Sequence, residues 1–126
     1  MTSEHYLAGL TAYRELFWPD FIERDGCVFL AFDEARYQEW LRTLEGDRAR
    51  VEAMMNHRHI VDSLPQAVEE PSRDLVLAFG RLLREAWDAK LQRDFPDRKF
   101  VVSFPEDHSD DLIDYEVTFW QEHEAT

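Results

Sequence analysis

The sequence predicts an α+β domain: a mostly antiparallel sheet of about four strands in two hairpins, with three to four helices packed on one face. Three observations lead to this class. The chain has 126 residues, the usual size of a single domain. A strong hairpin signal lies near its start, and an alternating apolar pattern lies near its end. Between them, apolar residues recur at helical spacing, so a block of helices separates the two hairpins.

A first helix is predicted over residues 3–17, with Ser3 as its N-cap. Pro19 prevents the helix from continuing. We expect the apolar stripe of this helix to pack in the core: Tyr6, Leu7, Leu10, Tyr13 and Phe17.

A hairpin follows, because Asp25-Gly26 separates two apolar runs and suits the positive φ angles of a two-residue type I′ turn. The run from Cys27 to Phe32 is apolar on both faces. Such a strand is expected in the middle of a sheet, with both faces covered.

Two short helices are predicted next, capped by Asp33 and Asp47, with Gly46 as the left-handed residue between them. The second of these helices ends near Asn56. Residues 57–64 are either a short extended segment or more helix, and we favour the extended segment. The side chains expected to face inward are Tyr37, Trp40, Leu41, Leu44, Val51, Met54 and Met55.

The longest helix is predicted over residues 72–93, after a loop at 66–72. A strand at 100–104, an acidic loop at 105–111 and a strand at 112–121 complete the second hairpin. The order of the strands in the sheet is not readable from the sequence. In the long helix we expect core contacts from Leu75, Phe79, Leu82, Leu83, Ala86 and Trp87. In the last strand we expect burial of Ile113, Tyr115, Val117 and Phe119, with Asp114, Glu116, Thr118 and Trp120 facing water.

The net charge of −13, from 27 carboxylates against 14 Lys and Arg, excludes ordinary binding to nucleic acid or to anionic membranes. The longest apolar run is too short to span a bilayer, and the N-terminus lacks a signal-peptide pattern, so we expect a cytoplasmic protein. The single Cys27 is expected as a buried thiol. Twelve of the 14 basic residues are Arg, which favours a bacterial source.

His57, His59 and Asp62 are the candidate metal ligands, with His108 as a further one. If the segment is extended, residues two apart share a face and both imidazoles reach one cation. No wider metal motif surrounds them, so we interpret the histidines as a structural or surface pair and expect no cofactor.

The predicted function is the binding of a basic protein partner, since size, charge and the lack of a nucleophile motif are typical of immunity or inhibitor proteins as a class. Trp120 would be the aromatic anchor within a charged rim. The predicted binding residues are Asp107, Asp110, Asp111, Asp114, Glu116 and Trp120. Two alternatives remain: a metal-dependent or acid–base enzyme centred on His57, His59 and Asp62, and a homo-oligomer formed through an exposed strand.

Overall fold

The computed structural model describes residues 2–63, 70–107 and 111–123, and it confirms the α+β class. None of the described helices is both long enough and apolar enough to cross a bilayer. The four α-helices are α1 (Ser3–Phe17), α2 (Glu34–Thr43), α3 (Arg48–Asn56) and α4 (Arg73–Asp94). The strands are β1 (Ile22–Arg24), β2 (Cys27–Phe29), β3 (Arg58–His59), β4 (Phe100–Ser103) and β5 (Glu116–Gln121), and 3₁₀ turns cover Ile60–Ser63 and Leu112–Asp114.

The strands form two small antiparallel sheets. β1 and β2 pair through a turn in which Asp25 has φ of 54° and Gly26 has φ of 79°, as the predicted type I′ hairpin requires. The second sheet has the order β3-β5-β4, so the last strand of the chain is its central strand.

Side chains of α3 join the two sheets where β2 approaches β5. Glu52 and Asn56 lie one helical turn apart, and both are fully buried. The Glu52 carboxylate accepts the backbone N–H groups of Val28, at 2.8 Å, and of Gln121, at 3.0 Å. The Asn56 amide donates to the carbonyls of Val28 and Phe119. These two side chains of α3 thus pair with backbone groups of β2 and β5 that would otherwise form hydrogen bonds to a neighbouring strand.

The core has two parts, and β2 contributes to both. Val28 packs with α4 and with the buried residues of β5, whereas Cys27 and Phe29 pack with α2 and α3. Both faces of β2 are therefore covered, as its continuous apolar sequence predicts. The predicted place in the middle of a sheet is wrong, because β2 forms a two-stranded sheet with β1 in the described part of the chain.

Two predicted helix faces are wrong in part, although Phe17 packs against the core and the predicted burial of Leu83 and Trp87 is confirmed. None of the residues of α1, all of which are described, is buried, and its N-cap is Thr2 rather than Ser3. In α4, Leu75 and Leu82 are 66% and 54% exposed, and Gly80 is buried instead, because the Phe104 ring fills the space that a Cβ at position 80 would need. A glycine thus sets the face that α4 turns inward.

Two further predictions need correction. Met54 is exposed, because α3 turns Glu52 and Asn56 towards the sheets. The last strand begins at Glu116 rather than at 112, since the Asp111 carboxylate accepts the Ile113 N–H and caps a 3₁₀ turn. Ile113 is consequently 48% exposed. The predicted burial of Tyr115, Val117 and Phe119 is confirmed.

Candidate metal centre

Three potential metal ligands converge at one end of the three-stranded sheet. One ring nitrogen from each of His57 and His59 and one carboxylate oxygen of Glu116 lie within 4.8 Å of one another. All three residues are half-buried, so the cluster has contact with solvent.

Strand pairing brings these residues together. α3 ends at His57, whose φ of −67° and ψ of 143° start an extended segment. His59 then lies directly opposite Glu116 in the antiparallel pairing of β3 with β5. Residues two apart in an extended chain share a face, so His57 is on the same side. Of the segment 57–64, for which the sequence favours an extended conformation, residues 57–59 are extended, a 3₁₀ turn covers 60–63, and residue 64 lies outside the described residues.

The hydrogen bonds of the two imidazoles decide which nitrogen can bind a metal. Nδ1 of His57 lies 2.6 Å from the Met54 carbonyl, and Nδ1 of His59 lies 2.6 Å from the Ile113 carbonyl. A carbonyl only accepts, so each Nδ1 must carry the proton and each Nε2 keeps its lone pair in the neutral ring. Metal-binding histidines commonly have this arrangement, in which the second nitrogen donates to a carbonyl that fixes the ring.

The spacing of the ligand atoms suits a small tetrahedral cation. Nε2 of His59 lies 3.5 Å from Oε2 of Glu116. Zinc bonds to nitrogen and oxygen of about 2.0–2.2 Å give a tetrahedron with edges of roughly 3.3–3.6 Å. The histidine rings meet edge to face, with centroids 5.5 Å apart.

Among the sequence candidates, the structure brings His57 and His59 together and substitutes Glu116 for Asp62. Asp62 is exposed on the 3₁₀ turn and is not among the three converging residues, while His108 lies outside the described residues. Glu116 had been assigned to the partner-binding surface. The pairing of β3 with β5 would have revealed its role, but strand pairing was not readable from the sequence.

A second cluster contains Cys27, Glu52 and His123, whose potential ligand atoms also lie within 4.8 Å of one another. Here the carboxylate is already saturated. Besides the two backbone N–H groups, Glu52 accepts from Nε2 of the Gln121 side chain and from Nε2 of His123, each at 2.6 Å. Four donors use the four lone-pair directions of a carboxylate, which leaves none for a metal.

The thiol in this second cluster is not activated. Burial raises the pKa of Cys27, the nearby Glu52 charge adds to the increase, and a hydrogen bond from Arg48 opposes it. Tyr37 packs beside them, and burial is the main reason that its pKa rises to about 12. A thiol held in its neutral form is a poor nucleophile, so this cluster has a structural character.

The residues of the predicted partner surface lie on more than one element. Asp107, Asp111 and Asp114 are exposed, but Asp114 lies in the 3₁₀ turn and does not share the alternation of β5. Trp120 is half-buried opposite Val101 of β4. Asp110 lies outside the described residues.

In comparisons with known proteins, the chain matches no family model, no curated protein and no solved structure. Its chemistry is therefore argued from its own residues.

Proposed function

We propose that this protein binds a divalent transition-metal ion of the zinc class through Nε2 of His57, Nε2 of His59 and the carboxylate of Glu116. One observation carries the proposal: Nδ1 of each histidine donates to a backbone carbonyl, which leaves Nε2 of each ring with its lone pair, while one ring nitrogen of each histidine lies within 4.8 Å of a Glu116 carboxylate oxygen. Such pre-orientation is what a bare pair of surface histidines lacks.

The ligand types favour zinc and its neighbours over calcium or magnesium, which prefer sets made entirely of oxygen. Three protein ligands leave the fourth tetrahedral position to water, as in hydrolytic zinc sites, where the metal lowers the pKa of that water to near 7. The half-buried position gives solvent and small molecules access to this fourth position.

The charge of the whole chain assists cation binding. A net charge of −13 raises the local concentration of cations at the surface.

The test is a zinc titration by isothermal calorimetry in competition with a chelator, on tag-free protein. We expect one ion per chain, and an affinity at least about 100-fold weaker in the His57→Ala, His59→Ala double variant, because two of the three ligands are lost. Glu116→Gln should weaken binding by about 10-fold or more, since an amide oxygen carries no charge.

Two matched control variants distinguish zinc binding at this site from nonspecific binding of zinc to exposed histidines or carboxylates. His5→Ala removes an exposed histidine on α1, and Asp62→Asn removes the carboxylate that the sequence suggested. Both variants should bind zinc like the wild type. Equal zinc affinity of the wild type and the double variant would contradict the proposal.

Binding of a basic protein partner is a second candidate function, and the observation that favours it is the net charge together with the exposed Asp107 and Asp111. Its test is a pull-down at low and high salt, followed by the association rate of any stoichiometric partner. Neutralising Asp107, Asp110 and Asp111 should slow association and reduce its salt dependence, whereas Trp120→Ala should speed dissociation. Neither variant alters a zinc ligand, so the two functions are tested independently.

A further inference from the structure

Helix α1 has an apolar face that nothing in its own chain covers among the described residues. Tyr6, Leu7 and Leu10 are 58%, 60% and 52% exposed. Only the last turn of the helix is attached to the core, where the Leu16 carbonyl accepts the indole N–H of Trp87 at 2.7 Å and Phe17 packs on Phe79. We call the exposed face, Tyr6 with Leu7 and Leu10, the α1 ridge.

Helix α4 has an apolar groove with a volume of about 360 Å³. Leu75, Phe79 and Leu82 line its length, and Ile60 and Pro71 contribute to its wall. Leu75 and Leu82 are more exposed than the ordinary core residues of an amphipathic helix. We call this feature the α4 groove.

We propose that the α1 ridge of one copy of this chain docks into the α4 groove of a second copy, and the reverse, to give a two-fold symmetric dimer. An isologous dimer buries each ridge and each groove at once, because every contact occurs twice. The geometry is the docking of an amphipathic helix into an apolar groove, with anchors at positions i, i+1 and i+4.

The area involved reaches what a stable dimer needs. Five side chains of the ridge and groove are more than half exposed: Tyr6, Leu7, Leu10, Leu75 and Leu82. Each leaves roughly 100 Å² of apolar surface in water, so a dimer would bury on the order of 1,000 Å², which is the lower limit for a specific interface. A 15-residue helix is also marginally stable without tertiary packing, so α1 gains order from a partner.

The test is sedimentation equilibrium of the wild type and of two variants, Leu10→Asp in the ridge and Leu82→Asp in the groove. We expect the wild type to form a dimer at micromolar concentrations. The dissociation constant of the dimer should be at least about 10-fold higher for each variant. Ile113→Asp is the matched control, since Ile113 is 48% exposed outside both surfaces and should leave the dimer intact. Circular dichroism verifies that each variant keeps its helix content.

Mixing the two variants tests which surfaces meet. The groove of the Leu10→Asp chain and the ridge of the Leu82→Asp chain are intact, so the mixture should form a heterodimer through one of the two contacts. Failure of two folded variants to associate when mixed would contradict ridge-in-groove docking and would indicate contact between two ridges. A monomeric wild type at all concentrations up to about 1 mM would overturn the dimer itself.

Salt dependence separates the dimer from a complex with a basic protein. Two chains of charge −13 repel each other, so added salt should strengthen the dimer, whereas it weakens an association between opposite charges. A dimer that dissociates on addition of salt would contradict a contact that is apolar at its centre.

Discussion

The cluster of His57, His59 and Glu116 and the cluster of Cys27, Glu52 and His123 contain similar ligand types at similar spacing. We call the first the open cluster and the second the closed cluster. In the open cluster, Nδ1 of each imidazole is hydrogen-bonded to a backbone carbonyl, and Nε2 keeps its lone pair for a metal ion. In the closed cluster four donors occupy all four lone-pair directions of the Glu52 carboxylate.

Metal-binding capacity in these two clusters depends on the lone pairs that remain on the ligand atoms, rather than on residue type. Glu52 joins β2 to β5 and cannot release its donors without leaving buried N–H groups unpaired. In the described contacts the Glu116 carboxylate accepts no backbone N–H group, so it is available to bind a cation.

Removing the carboxylate of the closed cluster should give the largest effect. Glu52→Ala leaves the buried N–H groups of Val28 and Gln121 without their acceptor, and it should lower the free energy of unfolding by about 3–5 kcal/mol. Urea denaturation measures this loss. In the open cluster, Glu116→Ala is the matched change and should cost about 1 kcal/mol or less, because the Glu116 side chain is 43% exposed to solvent. Equal losses in the two variants would remove the distinction between the clusters.

Most of the fold was accessible from the sequence, because local signals determine it. The Asp25-Gly26 turn and the N-caps Asp33, Asp47 and Ser72 lie where they were expected or at the expected boundary. These signals depend on backbone angles and on hydrogen bonds within a few residues.

The predictions failed where contacts between residues that are distant in sequence determine which side chains are buried. Periodicity assigns Met54 to the core, but the edges of β2 and β5 need polar partners, so α3 turns Glu52 towards them and leaves Met54 exposed. The candidate site was half predicted for the same reason: two histidines at alternate positions are visible, whereas Glu116 joins them only through pairing across 57 residues of sequence.

Zinc should stabilise the fold through the open cluster alone. At a free concentration about 100 times the dissociation constant, linkage adds about 2.7 kcal/mol, which corresponds to a rise in Tm of roughly 10 °C. Differential scanning calorimetry should show this rise in the wild type and in Cys27→Ala. The rise should disappear in the His57→Ala, His59→Ala variant, and its persistence there would assign the metal to another site.

Tyr37, beside the closed cluster, should make stability depend on alkaline pH. Its pKa of about 12 in the folded protein exceeds the ordinary value of 10, so the folded state holds the phenol proton more tightly. The contribution is complete below pH 10 and is lost as pH rises towards 12, by about 2.7 kcal/mol at most. Urea denaturation between pH 9 and 11 should show a steeper decline for the wild type than for Tyr37→Phe, and parallel slopes would contradict this assignment.

Thiol reactivity should give the smallest effect on the protein as a whole. Cys27 is fully buried with a raised pKa, so alkylation in the native state should be at least about 100-fold slower than in urea. Zinc bound to the open cluster should leave the native rate unchanged except through its effect on stability. Rapid alkylation of the folded protein would show that the closed cluster is accessible.

X-ray absorption spectroscopy at the zinc edge, on protein loaded with one equivalent of zinc, tests the central claim most directly. Binding at the open cluster predicts nitrogen and oxygen ligands at about 2.0–2.1 Å, with the signature of imidazole and without sulfur. A sulfur ligand at about 2.3 Å would place the metal beside Cys27 in the closed cluster, and would contradict the account.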